Sequence, residues 1–398
     1  MVALLFCVVF LSTLKALLPL ILPKFNTRSV PDIESLQNFA AHNNVGNLPL
    51  WTILAPLYNE SLENLIKLRE NIFASKYPNF EVIYLCEEVD VVTNFFLQTN
   101  AKNHNERIVV VPRIPPFTKP KACNYGLEFA RGEYIVIYDV EDVPHPYQLH
   151  CAAYYMQKLN YDCLQFPLQF INDGTLMSGW QVVDYVLWYS SLLPILQKLH
   201  APIPLGGTSN HFCVRSLRKI SGWNSFNVTE DAELGLRMKL QGQTVYYIEG
   251  YATNEPTLPN IKNLVNQRVR WSKGHLITFL QKFPHFLITS PLNALCIFFT
   301  LAASHIACVG YIIITLFLDI TQYPQSQQIV IMKIFIWGIL LFFLYPALLL
   351  AKFPKLRKKS IIRSVMLYNI YMVFYMLPIV KSLIECLFRP SVWYKTMR

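Results

Sequence analysis

Two kinds of hydrophobic pattern alternate along the chain. Residues 2–22, VALLFCVVFLSTLKALLPLIL, form one apolar run long enough to cross a bilayer as a helix. From about Pro49 to Phe283 the runs shorten to strand length. WTILAP (51–56), FEVIYLC (80–86), RIVVVP (107–112), EYIVIYD (133–139) and CLQFP (163–167) have the near-continuous apolar character of buried strands. Helical stretches separate most of them, which predicts an α/β domain with a largely parallel sheet. Long apolar runs return at 294–318 and 329–351. A third, 365–388, is broken by Pro378 and carries Lys381 and Glu385, so a partial or interfacial segment is expected there. The expected plan is an N-terminal anchor (1–24), a globular domain (49–283) and a C-terminal membrane region (284–398).

Composition narrows this plan. Of 398 residues, 53% are hydrophobic and 15% charged, and mean hydropathy is +0.30, which excludes a purely soluble protein. The net charge of +10 would suit nucleic acid, but much of it sits in KFPKLRKK (352–359), beside an apolar run. That placement marks a cytoplasmic membrane flank instead. The loop DITQYPQSQQ (319–328) has no Lys or Arg, as an external loop should. Lys24 and Arg28 follow the first apolar run and nothing basic precedes it, so an uncleaved anchor is expected, with its N-terminus outside and 49–283 in the cytosol. By the same logic Trp393–Thr396 is expected in the cytosol. The nine cysteines include no C-x-x-C pair, which points to reduced thiols rather than disulfides or zinc.

In parallel sheets ligands gather at the carboxyl ends of strands. APLYNES (55–61) presents Tyr58, with Asn59 as a candidate helix cap and Glu60 beside it. CEEVD offers Glu87 and Glu88 as acceptors for a ribose or a base. YDVEDVPHP (138–146) crowds Asp139, Glu141 and Asp142 after a buried strand, which suits a divalent cation bridging phosphates, although a solvated acidic turn has the same composition. TKPKACNYGL places Lys119 and Lys121 within reach of phosphate oxygens. In PLGGTSNHF, Gly207 and Thr208 let a backbone approach a ligand. NVTEDAELGLRM sets Thr229 at a helix cap and Glu230 and Asp231 in its first turn, where ordinary capping alone explains them. VNQRVRWSKGHL is by itself consistent with a basic interfacial helix with a Trp anchor.

Taken in order, Tyr-Asn-Glu, Glu-Glu-x-Asp, Asp-x-Glu-Asp-x-Pro, Gly-Gly-Thr-Ser, Thr-Glu-Asp and Gln-x-x-Arg-Trp resemble the membrane-embedded family 2 glycosyltransferases, similar to cellulose and hyaluronan synthases, over about residues 49–280. The resemblance implies a GT-A, Rossmann-like domain and a role for each motif. Tyr58 would pack on the base, Glu87 or Glu88 would bind the nucleoside with Glu60 nearby, and Lys121 would hold the diphosphate. Asp139 with Glu141 or Asp142 would bind Mg2+ or Mn2+; the pattern is D-x-E rather than D-x-D, which leaves the second ligand open. Asp231, beside Glu230, would be the general base. Gly207, Thr208 and Trp271 would meet the acceptor, and Gln267 and Arg270 complete the catalytic set, Arg270 also facing the diphosphate.

The implied reaction is inverting transfer from a nucleotide-sugar, a UDP-sugar being favoured, to a growing glycan at the cytosolic membrane face. Processive synthesis of an extracellular polysaccharide in a bacterial inner membrane follows from it. Transfer of one sugar to a lipid is the alternative, and an inactive subunit or receptor of a secretion complex is the rival of another class. Implied partners are donor, acceptor, membrane lipid and secretion-complex subunits, with no nucleic acid.

Overall fold

The computed structural model describes residues 2–21, 30–42, 48–101 and 103–388; Trp393–Thr396 lies outside them. Helices α1 (Val2–Ile21) and α2 (Ile33–His42) come first. Strand–helix repeats follow: β1 (Trp51–Leu57), α3 (Leu62–Phe73), β2 (Phe80–Glu87), α4 (Val91–Asn100), β3 (Glu106–Val111), α5 (Lys119–Phe129) and β4 (Tyr134–Ile137). The middle holds β5 (Val143–Pro144), α6 (Gln148–Leu159), β6 (Cys163–Gln165), β7 (Leu168–Ile171), α7 (Leu176–Leu187), a π-helical turn (Trp188–Leu192) and α8 (Leu193–Lys198). Next are β8 (Asn210–Cys213), α9 (Val214–Lys219), α10 (Glu230–Leu240), β9 (Val245–Tyr247) and β10 (Thr253–Pro256). The rest is helical: α11 (Ile261–Thr289), α12 (Pro291–Ile297), α13 (Ala303–Phe317), α14 (Gln325–Lys352), α15 (Lys359–Met366), α16 (Tyr368–Phe374) and α17 (Met376–Phe388).

The chain divides into two compact units. The sheet unit comprises 26–170 and 202–256; the helix unit comprises 1–25, 171–201 and 257–398. In the sheet unit, seven strands run in the order β3-β2-β1-β4-β8-β6-β9. The β1–β2, β2–β3, β1–β4 and β6–β9 pairs are parallel, and β8 is antiparallel to both its neighbours. A second sheet has the order β5-β10-β7. Trp51, Ile53, Val82, Tyr84, Val136, Leu164 and Phe166 fill the core. These are the residues of the short apolar runs, and all five runs are strands, with ends within two residues of expectation. Strands β5 and β7–β10 carry no such signal, being two to four residues long and fixed by their partners.

The helix unit packs Val183, Leu264, Tyr345, Leu349, Tyr368 and Tyr371 together, with a second cluster around Leu5, Val8, Ile314 and Ile331. Among the described residues three helical stretches are long and apolar enough to cross a membrane: Pro291–Phe317, Gln325–Lys352 and Tyr368–Phe388. The first runs from α12 to α13 through a π-helical segment. The last is interrupted only at Tyr375.

Candidate functional site

In the sheet unit the antiparallel register of β4 and β8, with Val136 opposite His211, brings the loop after β4 beside the loop before β8. The second loop is held from below. Buried Gln165 accepts from the Gly206 amide at 2.7 Å, and the Thr208 hydroxyl donates to the Ile137 carbonyl at 2.9 Å and to the Asp142 carboxylate at 2.5 Å. Helix α10 closes on the same loop because residue 235 is glycine. A Cβ there would lie 2.1 Å from the Ile203 carbonyl oxygen, an impossible approach for any other residue. As a result, a Cβ built on Gly207 would stand 3.5 Å from Asp231 Oδ2. Asp231 is half-buried, whereas neighbouring Glu230 is buried.

Lys119, the first residue of α5, joins the remaining pieces. Its ammonium sits 2.5 Å from Asp139 Oδ1 and donates to the Gly207 carbonyl at 2.8 Å. Burial works against the charge, but Asp139 and then Glu230 outweigh it and hold Lys119 protonated, above the ordinary lysine range. Asp142 shows the opposite balance. It is wholly buried; burial first, then the charges of Glu255, Asp139 and Glu141, push its carboxyl well above the usual range, against the Thr208 bond. Its Oδ2 also accepts from the Asp139 amide at 2.7 Å, and its Oδ1 has no hydrogen-bond partner. Asp142 therefore faces inward as the brace of this loop, while Asp139 and Glu141 remain half-buried.

The expected nucleoside residues cluster at the ends of β2 and β3. Lys121 donates to both oxygens of Glu87 at 3.2 Å and to the Pro112 carbonyl at 2.8 Å, so its charge is spent on Glu87. Exposed Glu88 accepts from the Arg113 amide at 3.0 Å. Asn59 is not the helix cap: its φ is +50°, a left-handed turn that asparagine tolerates, and its amide donates to Asp90 at 2.6 Å. The cap of α3 is Ser61, which accepts from the Asn64 amide at 3.2 Å. This turn leaves Tyr58 exposed and Glu60 half-buried. Thr229 occupies the cap position of α10, yet its side chain makes no cap bond to the helix.

In the helix unit, the Gln-x-x-Arg-Trp residues lie on α11, which Asn260 caps through the Asn263 amide. Gln267 is buried and accepts from Arg268 at 3.2 Å; Arg270 and Trp271 are half-buried. The Arg268 guanidinium stands 4.3 Å from the centre of the Trp271 ring, so one indole surface is already covered.

A family model described as glycosyl transferase family group 2 matches residues 134–353. The chain belongs to that family. A probable glycosyltransferase of Sulfolobus acidocaldarius is 25% identical, covering 57% of this chain and 50% of that protein. A β-monoglucosyldiacylglycerol synthase of Trichormus variabilis is 25% identical over 58% and 49%, and a probable glucomannan 4-β-mannosyltransferase of rice 24% over 56% and 38%. The chain thus spans about half the length of the curated relatives it matches. A mannosyltransferase from Pyrobaculum calidifontis, solved with GDP-mannose and Mn2+, superposes with a TM-score of 0.59 over 96% of both chains at 15% identity, which shows the shared GT-A fold.

The fit of a divalent cation to this family member rests on the chain's own donors. Among the described residues no three acidic, histidine or cysteine side chains form a ready-made metal cage. Carboxylates do crowd the loop: Glu255, Asp139 and Glu141 all act on buried Asp142, whose Oδ1 has no hydrogen-bond partner. Mg2+ and Mn2+ sites with one or two carboxylates and substrate phosphates have this character, so the residues fit. Sequence reasoning passed over Asp90, the last residue of Glu-Glu-x-Asp; Glu255, buried in β10; and Arg268, within the Gln-x-x-Arg-Trp motif. Asp90 and Arg268 stood inside quoted motifs. Glu255 had no such signal.

Proposed function

We propose that this family group 2 glycosyltransferase moves a sugar from a nucleotide-sugar to an acceptor hydroxyl, with Asp231 as the base. The observation that carries this reading is the meeting of Asp231 with Gly207, where the carbonyl of Gly207 also engages Lys119 and thereby Asp139. Asp231 takes the acceptor proton, the freed oxygen bonds to the anomeric carbon, and the bond to the diphosphate breaks from the opposite face with inversion. Lys119 steadies the Asp139 side of the loop. Asp139 and Glu141 would hold Mg2+ or Mn2+, which when bound supplies positive charge against the leaving diphosphate. From the helix unit, Arg270 is assigned to the diphosphate and Trp271 to the acceptor; Gln267 supports both through α11. Tyr58, Glu60, Glu87 and Glu88 are assigned to the nucleoside, and Lys121 acts there through Glu87.

The favoured acceptor is a growing glycan, in keeping with the likeness to a glucomannan mannosyltransferase. A diacylglycerol-type lipid is the second reading, supported by the likeness to a β-monoglucosyldiacylglycerol synthase and by the apolar helices. Three apolar stretches support a membrane location, and the basic run 352–359 favours the sheet unit in the cytosol. The test is transfer from radiolabelled UDP- and GDP-sugars by the full chain in vesicles. Asp231→Asn should lose about 100- to 10,000-fold in turnover while donor affinity stays within a few-fold. Equal loss of donor binding would reassign Asp231 to helix capping, and no turnover of any donor by the unaltered chain would refute the activity. A large water-soluble product supports the glycan, and extraction of the label into organic solvent the lipid.

A further inference from the structure

One position beyond Gln267, α11 carries an arginine that is 1% exposed. Each edge of the Arg268 guanidinium is occupied. Nη2 donates to Asp184 Oδ2 at 2.7 Å, Nε to the Tyr371 hydroxyl at 3.1 Å, and Nη1 to Gln267 Oε1 at 3.2 Å. Asp184, on α7, accepts in turn from the Tyr371 hydroxyl at 2.7 Å and from the Tyr368 hydroxyl at 2.5 Å. With its edges tied down, the guanidinium sets its central carbon over the Trp271 ring, 4.3 Å from the centroid. Tyr185, next to Asp184, lies near-parallel to the same indole with centroids 6.4 Å apart.

Burying a guanidinium is costly, and a leucine would join α7 to α11 at less expense. What a leucine cannot do is fix the plane and azimuth of an aromatic ring three residues along the same helix face. Trp271 keeps part of its surface exposed, and a sugar-stacking surface works only if the ring is held still before the sugar arrives. We infer that Asp184 is a positioning residue, which through Arg268 fixes the Trp271 indole as the stacking surface for the acceptor sugar. The acceptor role of Trp271 rests on the function proposed above; the Asp184–Arg268–Trp271 linkage does not. The two tyrosines add a consequence: α16, the start of the last apolar stretch, takes part in holding the Gln-x-x-Arg-Trp helix.

The test is a double-mutant cycle on the full chain with two readouts. Asp184→Asn and Trp271→Ala should each raise the acceptor KM by about tenfold with donor KM unchanged, and the double variant should be no worse than Trp271→Ala alone, since residues acting through one another are not additive. Independently of activity, Asp184→Asn should increase acrylamide quenching of tryptophan emission, and the increase should vanish in a Trp271→Phe background. If Asp184→Asn fails to fold, Tyr371→Phe, which removes one bond from the network, should show both effects in smaller measure. Additive KM effects, or a quenching change that persists without Trp271, would overturn the inference. If the unaltered chain turns over no nucleotide-sugar, the functional reading falls, and quenching alone decides the linkage.

Discussion

The acidic loops of the sheet unit and helix α11 of the helix unit both keep charge away from water, with opposite outcomes. Around Asp142 like charges gather: Glu255, Asp139 and Glu141 all act on it, and Lys119 binds this loop through Asp139. Around Arg268 the charges close, because one cation meets one carboxylate and three neutral polar groups satisfy the rest. Surplus charge of one sign prepares a region to receive the other sign. Charges that are paired off hold a shape. On the roles proposed above, the difference separates a region that binds from a region that positions.

The largest test of this contrast is removal of each charge. Arg268→Met strands Asp184 without its cation and should cost about 3 kcal/mol in thermal unfolding, at the lower end for broken buried pairs because Asp184 is one-fifth exposed. Asp139→Asn takes the nearest carboxylate from Lys119, whose side chain is 18% exposed, and should cost up to about 3 kcal/mol, Glu230 still opposing the lysine charge, while abolishing the rise in melting temperature that Mn2+ and donor together give. Loss of that ligand-induced rise in Arg268→Met as well would erase the contrast. Next in size is Gly235→Ala. The collision with the Ile203 carbonyl should cost about 1–3 kcal/mol and reduce transfer by shifting Gly207 away from Asp231, with melting and turnover measured on the same sample. Ser61→Ala removes one helix cap, for about 1 kcal/mol, and should leave transfer unaltered if the turn at Asn59 is governed by Asp90.

A further effect, read along pH, concerns a buried group that stays neutral. His211 is enclosed beside Trp51 and Phe166, and burial pushes its pKa down to about 3. The unfolded chain accepts a proton near the ordinary histidine value, which the folded chain refuses. The stability it contributes is therefore complete above about pH 6.5 and drains away as pH falls through about 3. His211→Asn should flatten that acid limb in a melting series from pH 7 to pH 4, while the same substitution at exposed His200 should not.

How far the sequence alone could go follows from the range of the interactions. Strands β1, β2 and β4 were legible because each is a run rich in Val, Ile, Leu and aromatic residues buried on both faces; in edge strand β3 only Val109 and Val111 are buried, and its apolar run alone marked it. Asp139, Asp231 and Gly207 were legible as members of ordered motifs at strand and helix ends. Asn59 was misread as a cap because its left-handed turn depends on Asp90, thirty-one residues away. Lys121 and Lys119 look alike in TKPKA, and only the fold distinguishes the one bound to Glu87 from the one bound to Asp139. Asp184 could not have been found at all. Its partners lie 84 and 187 positions along the chain, and no local pattern registers such a distance.

The division of the chain also governs the order in which the protein can be made. The backbone passes from one unit to the other four times, at about residues 25, 170, 201 and 256. As the ribosome delivers the chain, α1 emerges long before α13 and α14, the helices that shelter Leu5 and Val8. The segment 171–201 likewise waits for α11, α15 and α16 before its apolar and ionic surfaces are covered. A nascent chain stopped at residue 256 would hold every strand of the sheet and still trail two unsheltered helical pieces. Such an intermediate is prone to aggregate unless lipid or a chaperone covers it. The sheet cannot be cut out as one uninterrupted fragment.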